Sequence, residues 1–296
     1  MNRIKHPRGV DKIVTGMNTQ DGAGVRLTRV FPAGRVSMVD PFLLLDAFHS
    51  DNPDDYIAGF PPHPHRGFET VTYLLAGRFR HRDSAGHSGV VKAGGVQWMT
   101  AGRGIEHSEM PEQVEGLLEG FQLWVNLPAA RKMTEPSYQE FEPGEIPVEA
   151  LDNGVEIRVI AGNTVKGTQG VVKQIATSPN YFDVNLPAGT SYTEVIPPDH
   201  NAFIYMIGGE VQVLETDGQS TRIPAGRLAV LKEGDGLRLD TDVTSRLLLI
   251  SGRPINEPIA RHGPFVMNTF EEIQQAYQDY NNGLFGKVEE IHNAVA

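Results

Sequence analysis

Pro61-Pro62-His63-Pro64-His65-Arg66-Gly67-Phe68-Glu69 is the stretch whose reading decides this chain. Side chains two apart in an extended strand project to one face, so His63 and His65 point together if the stretch is a strand. A second stretch, Gly104-Ile105-Glu106-His107-Ser108-Glu109, offers His107 and Glu109 at the same spacing. Two such strands meeting in a sheet or barrel would bring three imidazoles and one carboxylate together. That donor set suits a first-row transition metal such as iron, nickel, copper, manganese or zinc. A lone His-x-His is weak evidence, because two hydrogen-bonded histidines on a strand are spelled the same way. The second pair, on another expected strand and likewise bounded by Gly and Pro, turns the spacing into a candidate site.

Around this stretch the composition sets bounds. With 296 residues the chain is comfortable for two domains, and 40% hydrophobic with 21% charged residues describes an ordinary globular protein. The 32 glycines and 20 prolines point to many turns and short strands. A net charge of −11 would be repelled by DNA or an anionic membrane, so neither is an expected partner, whereas a protein partner fits. There is no cysteine, so any metal must be held by His, Asp and Glu. Of ten histidines, seven (His6, His49, His63, His65, His81, His87 and His107) fall in the first 107 residues, which localises the candidates. Met1 to Pro7 lack the apolar core of a signal peptide, and runs such as Leu247-Leu248-Leu249-Ile250 are too short to cross a bilayer. The expected location is the cytoplasm, with the nucleus as the alternative in a eukaryote.

Apolar and β-branched runs separated by turn residues recur along the chain: Val25 to Phe31, Pro41 to Phe48, Thr70 to Ala76, Gly120 to Leu127, Val155 to Ala161, Tyr181 to Leu186, Ala202 to Ile207, Glu210 to Glu215, Arg227 to Leu231 and Arg246 to Ile250. This rhythm predicts an all-β sandwich or barrel architecture. Pro128 to Glu149 has little periodicity and reads as an exposed connector, which places a domain boundary near 135–145 and two domains at 1–135 and 136–296. Tyr205-Met206-Ile207-Gly208-Gly209-Glu210-Val211 echoes Tyr73-Leu74-Leu75-Ala76-Gly77-Arg78-Phe79, so the second half reads as a weak repeat of the first. The tail carries a helix at about 268–281: Thr269 and Glu272 form a capping box, Phe270, Ile273, Tyr277 and Tyr280 form one face, and Asn281-Asn282-Gly283 stops it. This helix is expected to pack on the β-layer rather than carry chemistry.

The run His63-Pro64-His65-Arg66-Gly67-Phe68-Glu69-Thr70-Val71, followed by Gln97-Trp98-Met99-Thr100-Ala101-Gly102-Arg103-Gly104-Ile105-Glu106-His107-Ser108-Glu109-Met110-Pro111, resembles the pirin family of the cupin superfamily. Phe121-Gln122-Leu123-Trp124-Val125-Asn126-Leu127-Pro128 and Gly263-Pro264-Phe265-Val266-Met267-Asn268-Thr269 match as well. The resemblance implies a bicupin, two facing antiparallel β-sandwich domains plus the carboxy-terminal helix, with metal in the first. It implies His63, His65, His107 and Glu109 as ligands of one divalent ion, usually iron, with copper, nickel, manganese, cobalt or zinc also compatible. Glu69, where the general cupin pattern has a ligand, is left as a structural hydrogen-bonding residue. The second half is read as degenerate. The place of the His pair falls at Pro198-Asp199-His200-Asn201-Ala202, and that of His107 and Glu109 near Leu231 to Gly236, without a histidine.

Four protein ligands leave two open positions on an octahedral ion, the mark of a catalytic site. The resemblance implies quercetin 2,3-dioxygenase chemistry, an oxidoreductase reaction in which a flavonol is opened by O2 with release of carbon monoxide. Glu109 would be the general base for the flavonol 3-hydroxyl. Phe60, Trp98 and Met110 could line the pocket, although core packing is the favoured reading for each. The alternative from a different class is a metal-dependent regulatory protein that binds a transcription factor or a metabolic enzyme.

Overall fold

The computed structural model describes residues 4–173, 176–215 and 218–288; Met1, Asn2 and Arg3 of the amino-terminal reading lie outside them. The expected all-β architecture is present. Two seven-stranded and two four-stranded sheets carry the chain, with a small two-stranded ribbon and the single α-helix Phe270–Asn281 among the described residues. Sequence runs and strands coincide closely: Val25–Phe31, Phe42–Ser50, Phe68–Ala76, Leu118–Asn126, Glu156–Ala161, Asn180–Leu186, Asn201–Gly208, Glu210–Leu214, Arg227–Leu231 and Ser245–Gly252. No described helix is long and apolar enough to cross a membrane.

The repeat read from sequence is real at the level of sheet order. One four-stranded sheet runs Phe60–His65, Ile105–Pro111, Arg78–Asp83, Ser88–Lys92; the other runs Thr190–Val195, Gly236–Thr241, Glu210–Leu214, Ser220–Pro224. The two orders are the same when strands are counted within each half. The seven-stranded sheets agree likewise in six places. The strand beside Val96–Thr100 is Ser137–Phe141, whereas the strand beside its counterpart Arg227–Leu231 is Val10–Thr15, from the other end of the chain.

Backbone contacts divide the chain into two compact units, and neither is one continuous stretch. One comprises 1–18, 28–46 and 141–256; the other comprises 19–27, 47–140 and 257–296. The first is built on a large apolar core that includes Ile157, Phe182, Val184, Ile204, Leu237, Leu239, Leu247 and Leu249. The second packs Val25, Leu27, Phe48, Tyr56, Phe60, Leu74, Phe79, Val91 and Leu118 together. The division expected at 135/136 is close to the break after Glu140. It nevertheless assigns the terminal helix to residues 136–296, whereas the helix joins the unit containing residues 47–140.

Two local expectations need correction. Pro128 to Glu149 is not an open connector throughout. It forms a 3-10 turn at Ala129–Arg131, buries Lys132, and supplies the edge strand Ser137–Phe141. Apart from Ile146 and the half-buried Tyr138, its inward residues include the polar Lys132 and Glu149, so it lacks the apolar alternation by which strands are recognised. The helix has the expected capping box, with Thr269 accepting from the Glu272 amide. Its buried residues are Ile273 and Ala276; Phe270, at the first turn, is 66% exposed. Tyr277 and Tyr280 are half-buried against Phe265 and Phe285.

Candidate metal centre

Strand Ile105–Pro111 lies between Phe60–His65 and Arg78–Asp83, antiparallel to both. His107 stands directly opposite His63, and Ile105 opposite His65. Cross-strand partners share a face, so the two-residue spacing and this register bring three imidazoles together. Their ring centroids are 4.7 Å (His63–His65), 4.4 Å (His63–His107) and 5.0 Å (His65–His107) apart. One nitrogen from each falls in a group whose members all lie within 4.8 Å of one another. A register shift between His107 and Glu109 sets Glu109 opposite Phe60.

The hydrogen bonds favour ligation. His63 Nδ1 faces the Pro61 carbonyl at 2.8 Å, and His65 Nδ1 faces the Pro264 carbonyl at 3.3 Å. A carbonyl only accepts, so each Nδ1 carries the hydrogen and each Nε2 keeps its lone pair. His107 is fully buried, and neither of its ring nitrogens has a hydrogen-bond partner. Burial, then the neighbouring His63, pushes the pKa of His65 and His107 well below the ordinary histidine range. Neutral imidazole is the ligating form. A divalent transition ion therefore fits this donor set, and it would satisfy the two orphaned His107 nitrogens at least in part.

Glu109 is close in sequence but differently engaged. It is buried, accepts from Thr72 Oγ1 at 2.8 Å on one oxygen and from Gln122 Nε2 at 2.9 Å on the other, and is not among the three convergent residues. Two oxygens accepting one bond each still have lone pairs to offer. Glu69 is buried and accepts from Thr100 Oγ1 at 2.8 Å, outside the histidine group. Phe60 belongs to the apolar core against Phe79, Trp98 is buried, and Met110 is half-buried. The aromatic neighbours of the site are instead Phe68 and Trp124, both in edge contact with His65, with the Arg261 guanidinium 4.7 Å over the Trp124 ring.

Several participants escaped the sequence reading. His81 stands opposite Glu109 and Asp83 opposite His107 on the neighbouring strand. His81 Nε2 bonds Glu140, which also accepts from Gln97 Nε2 at 3.0 Å, and His81 stacks on Tyr138. Burial works to raise the Glu140 pKa, but the bonds from His81 and Gln97 outweigh it and hold the carboxylate below its ordinary range. Burial and then the Asp83 charge push the Tyr138 hydroxyl upward. The available signal was a third alternating pair, His81-x-Asp83; Tyr138 and Glu140 show the same spacing on the strand read as connector.

The carboxy-terminal segment bonds directly beside the candidate ligands. Besides the Pro264 contact to His65, Arg66 Nη1 meets Asp279 at 2.7 Å and its guanidinium lies 4.6 Å over the Phe285 ring. Tyr280 donates to Glu106 at 2.7 Å. The helix thus braces the residues adjoining His65 and His107, which is more than packing on a β-layer.

Sheet order relocates the equivalent positions in the other half. The counterpart of Phe60–His65 is Thr190–Val195, not 198–202, and that of Ile105–Pro111 is Gly236–Thr241, not 231–236. The buried residues there are Tyr192, Glu194, Gly236, Leu237, Leu239 and Thr241. No histidine stands on either strand, so the ligand set is not duplicated.

Comparison with known proteins agrees. Residues 24–125 match the family model described as Pirin, and residues 181–286 match the Pirin C-terminal cupin domain. The chain belongs to the pirin family. A pirin-like protein of Caulobacter vibrioides is 52% identical over 278 residues, covering 94% of this chain and 99% of the relative. Human pirin is 43% identical over 276 residues, with 92% of each chain covered. The crystal structure of a quercetin 2,3-dioxygenase from Acinetobacter baumannii superposes with a TM-score of 0.86 at 36% identity, covering 96% of this chain and 100% of that one. The bicupin fold implied by the pirin resemblance is thus the fold of the family, and the histidine group lies within the matched Pirin region.

Proposed function

We propose that the protein is a metal-dependent oxidoreductase of the quercetin 2,3-dioxygenase type. One divalent ion, iron foremost, would be held by His63, His65, His107 and Glu109. The observation that carries this reading is the convergence of three buried or half-buried imidazoles with His107 unpartnered at both nitrogens. The likeness to the Acinetobacter dioxygenase supports the choice of reaction.

When bound, the ion would supply Lewis acidity to the flavonol 3-hydroxyl oxygen and a path for electrons to dioxygen. The chain's own groups do the rest. Glu109 offers a carboxylate oxygen as fourth donor and takes the 3-hydroxyl proton as general base. Thr72 and Gln122 hold that carboxylate in place. Phe68 and Trp124, both buried, pack edge-on against His65 and hold its ring in place. The overall change consumes one flavonol and one O2, breaks two ring carbon–carbon bonds, and yields a ring-opened aromatic ester acid and carbon monoxide.

The test is aerobic incubation of quercetin with protein loaded with ferrous iron, following loss of flavonol absorbance together with carbon monoxide. Turnover coupled one-to-one to carbon monoxide is expected. No turnover with iron, copper, nickel, manganese or cobalt would overturn the dioxygenase reading and leave the regulatory binding protein as its replacement.

A further inference from the structure

Lys132 is the only buried lysine among the described residues. Its ammonium donates to the Gly67 carbonyl at 2.7 Å, to Asn126 Oδ1 at 2.7 Å and to the Val266 carbonyl at 2.9 Å. These three bonds fill its donor capacity. All three acceptors are neutral, so none of them brings an opposite charge to the ammonium. Burial pulls the pKa of Lys132 down to about 8, while Glu257 and then Glu272 act in the other direction without bonding it. The group is therefore an ammonium at neutral pH. Burying an ionised group is costly, and neutral donors could serve the same three acceptors at a lower desolvation cost. The positive charge itself therefore needs a reason.

The place of Lys132 supplies one. Gly67 follows His65 by two residues. Val266 follows by two residues Pro264, whose carbonyl bonds His65 Nδ1. Asn126 pairs with Phe68 across the sheet, and Phe68 packs edge-on against His65. Each acceptor of the ammonium thus belongs to the immediate surroundings of one histidine of the candidate metal centre. All of these residues lie in the unit that contains residues 47–140 and 257–296.

We propose that Lys132 raises the reduction potential of the ion held by the histidine group. A fixed positive charge disfavours the oxidised ion, which is one unit more positive, over the reduced one. Buried surroundings screen that effect weakly. Lys132 is on this account a positioning residue of charge rather than a ligand. The inference rests on the metal reading proposed above, with iron as the ion, and is independent of the flavonol reaction.

The test uses the full chain loaded with ferrous iron, with iron content measured by elemental analysis. The protein is poised at set ambient potentials with redox mediators, and ferric iron is read by electron paramagnetic resonance. Lys132→Met removes the charge. Asn126→Asp keeps Lys132 with its three bonds and sets a carboxylate against it. Each variant should raise the ferric-to-ferrous ratio roughly three-fold or more at a fixed ambient potential. A clip of purely structural value would leave the ratio of Asn126→Asp at that of wild type. Lys132→Met strips three buried acceptors of their donor, so Asn126→Asp keeps the test decisive if that variant does not fold. Loaded iron whose ratio in Asn126→Asp is unmoved, or shifted toward ferrous, would overturn this proposal alone. A wild-type chain that takes up no iron would overturn the iron reading and this proposal with it.

Discussion

His107 concentrates the chemistry of this site in one side chain. Leaving buried polar atoms unpaired costs roughly 1–3 kcal/mol each, and this imidazole has both nitrogens in that condition. His107→Ala should therefore cost the protein its ion: elemental analysis should fall from about one metal per chain to a small fraction of that, and retained stoichiometric metal would place the site elsewhere. Thr72 and Gln122 both donate to the Glu109 carboxylate, so on the role proposed for Glu109 they would act through it. Thr72→Val and Gln122→Leu should each lower flavonol turnover by about 10–100-fold while metal content stays near wild type; unchanged turnover would show that the orientation of Glu109 is immaterial. At this scale the three histidines were legible because their residue type is diagnostic and a two-residue spacing fixes the face. Thr72, Gln122, Tyr138 and Glu140 were not, because each is an ordinary strand or loop residue until register sets it beside something.

Among the elements, the terminal helix was legible from its capping box, and only part of its buried face was. Helical spacing put Phe270 on that face, yet a residue in the first turn precedes the surface the helix packs on, and small Ala276 takes the central contact. Thr269→Ala should cost about 1 kcal/mol of stability in a denaturant titration. Asp279→Asn removes the charge partner of the buried Arg66 and should cost about 3 kcal/mol. Because Arg66 adjoins His65, the same variant should also weaken metal retention against a chelator. A variant with the stability loss alone would separate the brace from the metal centre. The strand Ser137–Phe141 was illegible for a related reason: an edge strand that turns Tyr138 and Glu140 toward a polar site shows no apolar period.

For the whole molecule, the two-fold repeat was visible in the sequence, but the units were not, because contiguous reading cannot show an exchange of chain ends. The degenerate half has its own buried acid. Burial pushes Glu194 up to about 7 even though Tyr192 and two backbone amides donate to it. The unfolded chain gives up this proton near 4.5, so the folded state holds it longer. The corresponding stability is fully present below about pH 4.5 and is lost as pH rises through about 7, on the order of 3 kcal/mol in all. Glu194→Gln should remove this slope, so its melting temperature should gain on wild type steadily from pH 4.5 to 7.5. Parallel profiles would mean that the carboxyl titrates normally.

The bracing of His65 and His107 by residues 264–285 has a consequence for how the protein is made. The ligand strands leave the ribosome more than 150 residues before Pro264, Asp279 and Tyr280 do. A nascent chain halted after Asn256 should hold its ion weakly, and release of the remaining segment should lock it in. If the histidine group takes up an ion as proposed, its retention would then wait on the synthesis of residues 264–285 rather than on that of the strands carrying His63, His65 and His107.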